Sequence, residues 1–287
     1  MGRRRRAIVV GVEGGIGRSI ARTLAVDGCD LGLTWFRDEA EAEATAAELR
    51  TLGAAVHLAY LDLAASDTAA EAVVALAARL GGLDVLVGSA GYNPPARPDG
   101  EFVALRQTVE INLIGMAAVL LAGSTMLIDQ GTGGRIVAVT SVHEHIPLYG
   151  SLGYTAAKHG LGGLVKGLAL ELAPHGITVN SVAPGPITHK LASDDGVGED
   201  PQPYSFVPVG RFGTPREVAA VVHFLTSAEA SFVTGSSYGV DGGMALINGG
   251  RGVVQSGVVQ RGVVQRAVSK LNRTRNKHRI AAPEGRD

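Results

Sequence analysis

Short, almost unbroken apolar runs alternate along this chain with longer stretches in which Ala and Leu recur at helical spacing. "AIVV" (7–10) reads as a strand and residues 16–27 as a helix; "DLGLTW" (30–35) reads as a strand, and 37–53 as a helix that Gly53 ends. "AVHLAYLDL" (55–63) is a strand, 66–80 a helix, "LDVLVGSAG" (83–91) a strand with its exit turn, and 101–129 one long helical region. "GRIVAVTS" (134–141) is a strand, 152–173 a helix and "ITVNSVAPG" (177–185) a strand; 186–213 reads as a loop, 214–228 as a helix from a Thr-Pro start, and "SSYGVDGG" (236–243) as the last strand. Strands apolar on both faces belong to a parallel sheet covered on both sides. Right-handed crossovers then give a doubly wound α/β sheet of Rossmann type, with about seven strands. No linker interrupts residues 1–248, so they are expected to form a single domain.

The remainder, 249–287, departs from this pattern. "RGVVQSGVVQRGVVQRAV" (251–268) repeats a five-residue unit, a period that matches neither helix nor heptad. A disordered low-complexity appendage is the main expectation, with a basic contact arm or an oligomer contact as alternatives. Residues 251–287 carry nine Lys/Arg against two Asp/Glu, which leaves the body acidic although the whole chain has a net charge of −1. No global field favours nucleic acid or a membrane surface. No apolar run is expected to span a membrane, and "MGRRRR" followed by "AIVV" is too short for a secretory signal, so the arginines read as a solvated start to the first strand. The single cysteine, Cys29, forms no internal disulfide, which suits a reducing cytoplasm.

The first candidate chemistry lies between strand one and helix one. In "VVGVEGGIGRSIA" (9–21), Gly11, Gly15 and Gly17 free the backbone to turn sharply and offer N–H groups to a pyrophosphate, with Ile16 between them. The second candidate lies further on. Ser141 ends the strand "RIVAVTS", Tyr154 follows after twelve intervening residues, and Lys158 stands four residues beyond Tyr154, one helical turn away. A phenol near an ammonium can be poised for proton transfer. A downward shift of about three units, roughly 4 kcal/mol, would bring tyrosine from near 10 to neutrality. Ser141 can donate a hydrogen bond to a substrate oxygen as charge develops there.

With these motifs in this order, joined by Asn112 in "EINLIG", "PGPI" (184–187) and "VDGG" (240–243), the chain is identified as a member of the short-chain dehydrogenase/reductase family over about residues 6–247. Its turn resembles the family's Thr-Gly-x3-Gly-x-Gly, with Val10 in place of the Thr. The segments "TSVHEHIPL" (140–148) and "YTAAKHGLGGL" (154–164) resemble a bacterial subgroup generally described only as oxidoreductases. The resemblance implies an NAD(P)-dependent oxidoreductase that transfers hydride between nicotinamide and a carbonyl or secondary alcohol. Asn112, Ser141, Tyr154 and Lys158 would be its catalytic residues. Lys158 would also hold the nicotinamide ribose, and Asn112 would anchor a water leading protons away. Asp62, beside Leu63, would meet the adenine, and Ser89, Ala90 and Gly91 would let the cofactor approach closely. Pro184, Gly185, Ile187 and Thr188 would border the carboxamide, and 184–206 would cover the substrate. The family's four-residue Tyr–Lys offset favours carbonyls over carbon–carbon double bonds. It also implies a homo-oligomer, a tetramer or dimer built through helices such as 101–129 and 152–173.

Where an acidic residue would hold an NAD ribose, this chain has Trp35, followed by Phe36 and Arg37; NADP is therefore preferred over NAD, with Arg37 as the 2′-phosphate partner. His143, His145 and Tyr204 are candidates for the substrate pocket. The two histidines flank Glu144 without a third ligand at metal spacing, so no metal is expected. The competing readings are a dinucleotide-binding regulator or scaffold without turnover, and an epimerase or dehydratase on the same fold.

Overall fold

The computed structural model describes residues 3–93, 101–188 and 207–247. Along the chain run β1 (Arg5–Val10), α1 (Gly15–Val26), β2 (Cys29–Trp35), α2 (Glu39–Thr51), β3 (Val56–Tyr60), α3 (Ser66–Leu80) and β4 (Val85–Gly88). Then come α4 (Glu101–Val109), a π-helical turn (Glu110–Gly115), α5 (Met116–Gln130), β5 (Gly134–Val139), a 3₁₀ turn (Val142–Glu144) and α6 (Leu152–Leu172). A further 3₁₀ turn (Ala173–His175), β6 (Ile177–Pro184), α7 (Pro215–Thr226), β7 (Ser237–Val240) and the short α8 (Met244–Ile247) complete the described fold. These elements lie within the unit Met1–Gly250. The tail expected over 249–287 lies outside the described residues.

The seven strands form one sheet in the order β3-β2-β1-β4-β5-β6-β7, every pair parallel. Ala7 to Val10 and the whole of β6 are buried, as strands must be when helices cover both faces. One core joins the sheet to α1, α2 and α7 through Ile20, Leu24, Ala46, Leu49, Val218 and Val222. The other joins it to α3, α5 and α6 through Val73, Leu76, Met116, Leu120, Leu161 and Val165. The chain winds outward from β1 in both directions, so the order reverses between β1 and β4. A crevice opens there at the carboxyl ends of the strands, where such sheets receive ligands.

Three differences from the sequence reading have physical causes. Strand ends fall earlier than the apolar runs suggest, because Leu61–Leu63 and Ser89–Gly91 leave the ladder to line that crevice. The arginines of "RRRR" are paired rather than simply solvated: Arg3 and Arg6 both bind Asp84, Arg4 binds Asp30, and Arg5 binds Asp27. Burial alone would raise the Asp84 carboxyl, but the hydrogen bonds from Arg3 and Arg6 outweigh it and hold the carboxyl well below its usual range. Finally, the continuous helix Phe102–Gln130 reaches a mean hydropathy of 2.0, long and apolar enough to cross a bilayer, contrary to the expectation of no such run. Its apolarity belongs to this fold. It packs against α3, α6 and the sheet, with Met116, Val119, Leu120 and Leu127 in the core.

Candidate active site

The turn after β1 is built for close backbone approach. Gly11 has φ +86°, and a side chain there would meet Ala90 Cβ at 2.7 Å; at Gly17 a Cβ would collide with the Gly11 carbonyl oxygen. The hydroxyl missing at Val10 is replaced from the neighbouring strand. Thr34 Oγ1 accepts the Gly11 N–H at 3.1 Å, and the Val12 N–H donates to the Thr34 carbonyl at 3.1 Å. Gly14 caps α1 without a side chain, and no acidic residue stands in the helix's first turn, which leaves its N-terminal amides open to an anion. Gly15 and Ile16 begin α1, and Ile16 packs on the core beneath.

Beside this turn lies a groove of about 600 Å³, bordered by Gly11, Trp35, Arg37, Asp62, Leu63 and Ser89–Tyr92. Asp62 Oδ1 accepts the Ala64 N–H at 2.8 Å, so the residue both shapes the loop and faces the groove. Trp35 and Tyr60 pack edge to face at 5.2 Å. The Arg37 guanidinium lies over two rings, 5.7 Å from that of Phe36 and 5.8 Å from that of Tyr92. Ser89 Oγ is buried and has no hydrogen-bond partner among the described residues. An orphaned hydroxyl beside a cradle that any Cβ would fill suits a bound dinucleotide. The sequence reading missed Glu13, whose carboxylate accepts the backbone N–H groups of Phe36, Arg37 and Asp38. Its signal was an acid among turn glycines, a position that reads as filler.

Tyr154 and Lys158 lie on α6, which approaches α4 and the π-helical turn through small residues. A Cβ at Gly153 would meet Leu105 Cα at 2.9 Å, and one at Gly160 would meet Leu113 Cδ2 at 2.8 Å. That close packing brings Lys158 toward Asn112. A Cβ on Gly91 would lie 3.0 Å from Asn112 Oδ1 and 3.3 Å from Lys158 Nζ, so both groups flank the inner end of the groove. The π-helical turn carries Asn112. Its Oδ1 accepts the Tyr92 N–H at 3.0 Å, and its Nδ2 donates to the carbonyls of Tyr92 and Thr108 at 2.6 and 2.9 Å. Inserted turns of this kind recur at functional sites.

Ser141 ends the chain's run out of β5, and its Oγ accepts the His143 N–H at 3.2 Å. Burial pushes the Tyr154 phenol up, and a hydrogen bond with Ser141 only partly opposes this. Lys158 Nζ lies over the ring, 5.4 Å from its centroid, and in the protein without cofactor burial outweighs its pull on the phenol. Burial pulls the Lys158 ammonium down to about 8, opposed by the charge of Glu144. Glu144 is the second residue the sequence reading passed over, as an acid between two histidines. Only 6% exposed, it accepts the Thr140 hydroxyl at 2.6 Å and the Ser181 hydroxyl at 3.1 Å. It presses against α6 where Gly162 leaves no side chain in its way.

The two histidines part company. The His143 ring lies 6.1 Å from that of Tyr154; its Nδ1 is 3.1 Å from the Ile146 carbonyl, and burial lowers its pKa. His145 is exposed, with Nε2 2.9 Å from Ser237 Oγ on the edge strand, so its expected pocket position is corrected to the sheet edge. Pro184 ends β6, and Gly185 passes so close to Asp241 that a Cβ would lie 2.8 Å from its Cα. Ile187 bridges to Gly213, and Thr188 N donates to the Gly213 carbonyl at 3.0 Å. Tyr204 and residues 189–206 of the expected covering loop lie outside the described residues.

Residues 11–245 match the family profile described as Enoyl-(Acyl carrier protein) reductase. The chain is 41% identical over 243 residues to the "Uncharacterized oxidoreductase YohF" of Escherichia coli K12, covering 84% of this chain and 96% of that protein. The L-rhamnose 1-dehydrogenase (NAD(P)(+)) of a Sphingomonas species is 33% identical over 240 residues, covering 83% of this chain and 94% of the relative. The crystal structure of acetoin dehydrogenase from Enterobacter cloacae aligns with a TM-score of 0.82 at 39% identity, covering 90% of this chain and 100% of that one.

Proposed function

Because the chain belongs to the short-chain dehydrogenase/reductase family and is an NAD(P)-dependent oxidoreductase, we propose that its reaction is reduction of a small ketone, with Tyr154 as general acid. A dinucleotide held there would supply or accept the hydride. Gly11, Gly15 and Gly17 would admit its phosphates to the turn; Asp62 and Leu63 would border its adenosine; Ser89, Ala90, Gly91 and Lys158 would line its course inward. Pro184, Gly185, Ile187 and Thr188 would flank the carboxamide end. Ser141 steadies the substrate oxygen, and Tyr154 gives that oxygen its proton as the alkoxide forms. Lys158, half titrated near pH 8, returns a proton toward Tyr154, and Asn112 fixes the loop through Tyr92 beside it.

The observation that carries this reading is the half-buried phenol of Tyr154 next to Ser141 and Lys158, at the carboxyl end of the sheet, where its burial disfavours the ionised form. A neutral phenol is a proton donor, which favours reduction as the reaction assayed first. The related acetoin dehydrogenase points to vicinal hydroxyketones and diketones as a starting substrate class, with His143 beside the reacting carbonyl. The four-residue Tyr–Lys spacing supports a carbonyl over the carbon–carbon double bond named in the matched profile. The test follows nicotinamide absorbance with acetoin and its diketone, for the wild type and Tyr154→Phe. Loss of at least a thousandfold in kcat with cofactor binding retained supports the reading. Equal turnover by the variant overturns it.

We also propose assembly into a dimer or tetramer. Phe102, Val103 and Leu121 on α4 and α5, and Leu170 on α6, are 49–80% exposed, an apolar surface that a second copy would cover. Light scattering that finds only monomer at micromolar concentration refutes this. A cytoplasmic setting agrees with the single buried thiol, Cys29, which burial pushes up to about 11.

A further inference from the structure

The adenosine end of the groove already contains an anion. Glu13 Oε2 accepts the Phe36 N–H at 2.9 Å, and Oε1 accepts the Arg37 N–H at 2.7 Å and the Asp38 N–H as well. Three consecutive amides converging on one carboxylate form the kind of backbone bowl that otherwise collects phosphate. The bowl follows directly on β2, where dinucleotide folds distinguish a ribose hydroxyl from a ribose phosphate. Glu13, like Trp35, Arg37 and Asp62, borders the groove.

A 2′-phosphate arriving here would have to strip Glu13 from those amides and then remain beside its displaced charge. A 2′-hydroxyl faces no such conflict. An ionised carboxylate offers about four lone-pair sites. Three are engaged by the amides, which leaves an acceptor for one neutral O–H donor. The Arg37 guanidinium is already engaged over the rings of Phe36 and Tyr92, and a phosphate would have to draw it away from both. The carboxylate missing at Trp35 is thus supplied from the glycine turn.

We infer that Glu13 is a specificity-determining residue that selects the unphosphorylated ribose, so that the enzyme prefers NAD(H) to NADP(H). This reverses the preference suggested by Trp35 and Arg37 in the sequence, and it rests on the reading of the groove as a dinucleotide site. The test is direct binding, independent of turnover: calorimetric titration of the full-length protein with NADH, NADPH, ADP-ribose and 2′-phospho-ADP-ribose. The wild type is expected to bind each unphosphorylated ligand at least tenfold more tightly than its phosphorylated partner, about 1.4 kcal/mol. Glu13→Ser, which frees the three amides, and Glu13→Gln, which removes the charge but keeps the size, are expected to narrow that ratio tenfold or more, chiefly by tightening the phosphorylated ligands. A wild type that prefers NADPH overturns the inference without a variant being made, as does an unchanged ratio in both variants. Binding of none of the four ligands overturns the dinucleotide reading, and this inference with it.

Discussion

Replacing Glu144 with Gln is expected to move the alkaline limit of carbonyl reduction to lower pH. Lys158 is buried, and its ammonium titrates near 8 because the charge of Glu144 offsets part of the burial penalty. Gln preserves the length of the side chain, keeps one oxygen to accept one of the two hydroxyls and turns its NH2 as donor to the other, so the packing against Gly162 survives while the charge goes. Glu144 meets α6 one helical turn beyond Lys158, a rise of about 5.4 Å. At an effective dielectric constant of about 20, charges roughly 5–8 Å apart interact by about 2–3 kcal/mol. That is about 1.5–2 pKa units.

Without it the Lys158 pKa falls to roughly 6–6.5, and its protonated fraction at pH 7 drops from about nine-tenths to about one- to two-tenths. If Tyr154 is resupplied with protons through the charged lysine, kcat/KM for reduction falls about four- to tenfold at pH 7 and returns to near the wild-type value at about pH 5. The assay is a pH profile of kcat/KM from about pH 5 to 9 at saturating cofactor, with both proteins checked for equal thermal midpoints. A variant slower by one constant factor at every pH, with its alkaline limb unmoved, would refute the reasoning. Glu144 would then matter only for shape.

Gly17→Ala forces a methyl group into the Gly11 carbonyl oxygen, so titration should find dinucleotide affinity reduced at least tenfold, with stability lower by about 1–3 kcal/mol in urea melts. Asp84→Asn removes the acceptor shared by Arg3 and Arg6. Because the folded-state pKa of Asp84 is depressed, its contribution is fully present above the ordinary value near 4 and is lost as the pH falls below it, so the wild-type advantage in urea midpoint should hold from about pH 7 to 5 and shrink below about pH 4. Lys158 has its pKa lowered from 10.5 to about 8, so between those values the unfolded chain holds a proton the folded protein has shed. Wild-type stability should therefore rise with pH across that window by roughly 3 kcal/mol, a slope that Lys158→Met abolishes in denaturant titrations. With the phenol of Tyr154 raised, alcohol oxidation should climb with pH beyond neutrality while reduction does not; an oxidation rate already level by about pH 7 would show that the hydroxyl ionises far more easily than its burial implies.

The fold was legible because strands buried on both faces leave uninterrupted apolar runs such as Ala7–Val10 and Ile177–Pro184. The positions of Ser141, Tyr154 and Lys158 were legible because their offsets follow from one strand end and one helical turn. Asn112 was found only through the motif around it; that its helix widens into a π-helical turn left no mark in the apolar periodicity. What stayed hidden depends on contacts between distant segments. Thr34 supplies the turn's hydroxyl across a strand pair, a substitution invisible when Val10 is compared with a motif position alone. His143 and His145 look equivalent in sequence, yet one turns to Tyr154 and the other to Ser237. The opposing effect of burial on Tyr154 and Lys158 left no mark in the sequence either, since a four-residue offset shows that the two groups are near each other but not how much water reaches them.

Glu13 and Glu144 point to a common device at the two ends of the site. Each stands within three residues of a motif residue, Gly11 or Ser141, on the short segment that leaves the carboxyl end of a strand. Each gives its carboxylate to neutral donors, backbone amides in one case and hydroxyls in the other. Such donors fix a negative charge in position without cancelling it, as a lysine or arginine partner would. The charge stays available to act on something else. At Glu144 it acts on the Lys158 ammonium, which burial would otherwise strip of its proton. On the inference drawn above, at Glu13 it would act on the ribose of the cofactor, being compatible with a hydroxyl and hostile to a phosphate. Neutral-donor clamping of an acid thus gives one backbone scaffold the means we propose for cofactor choice at one end of the groove and for proton supply at the other.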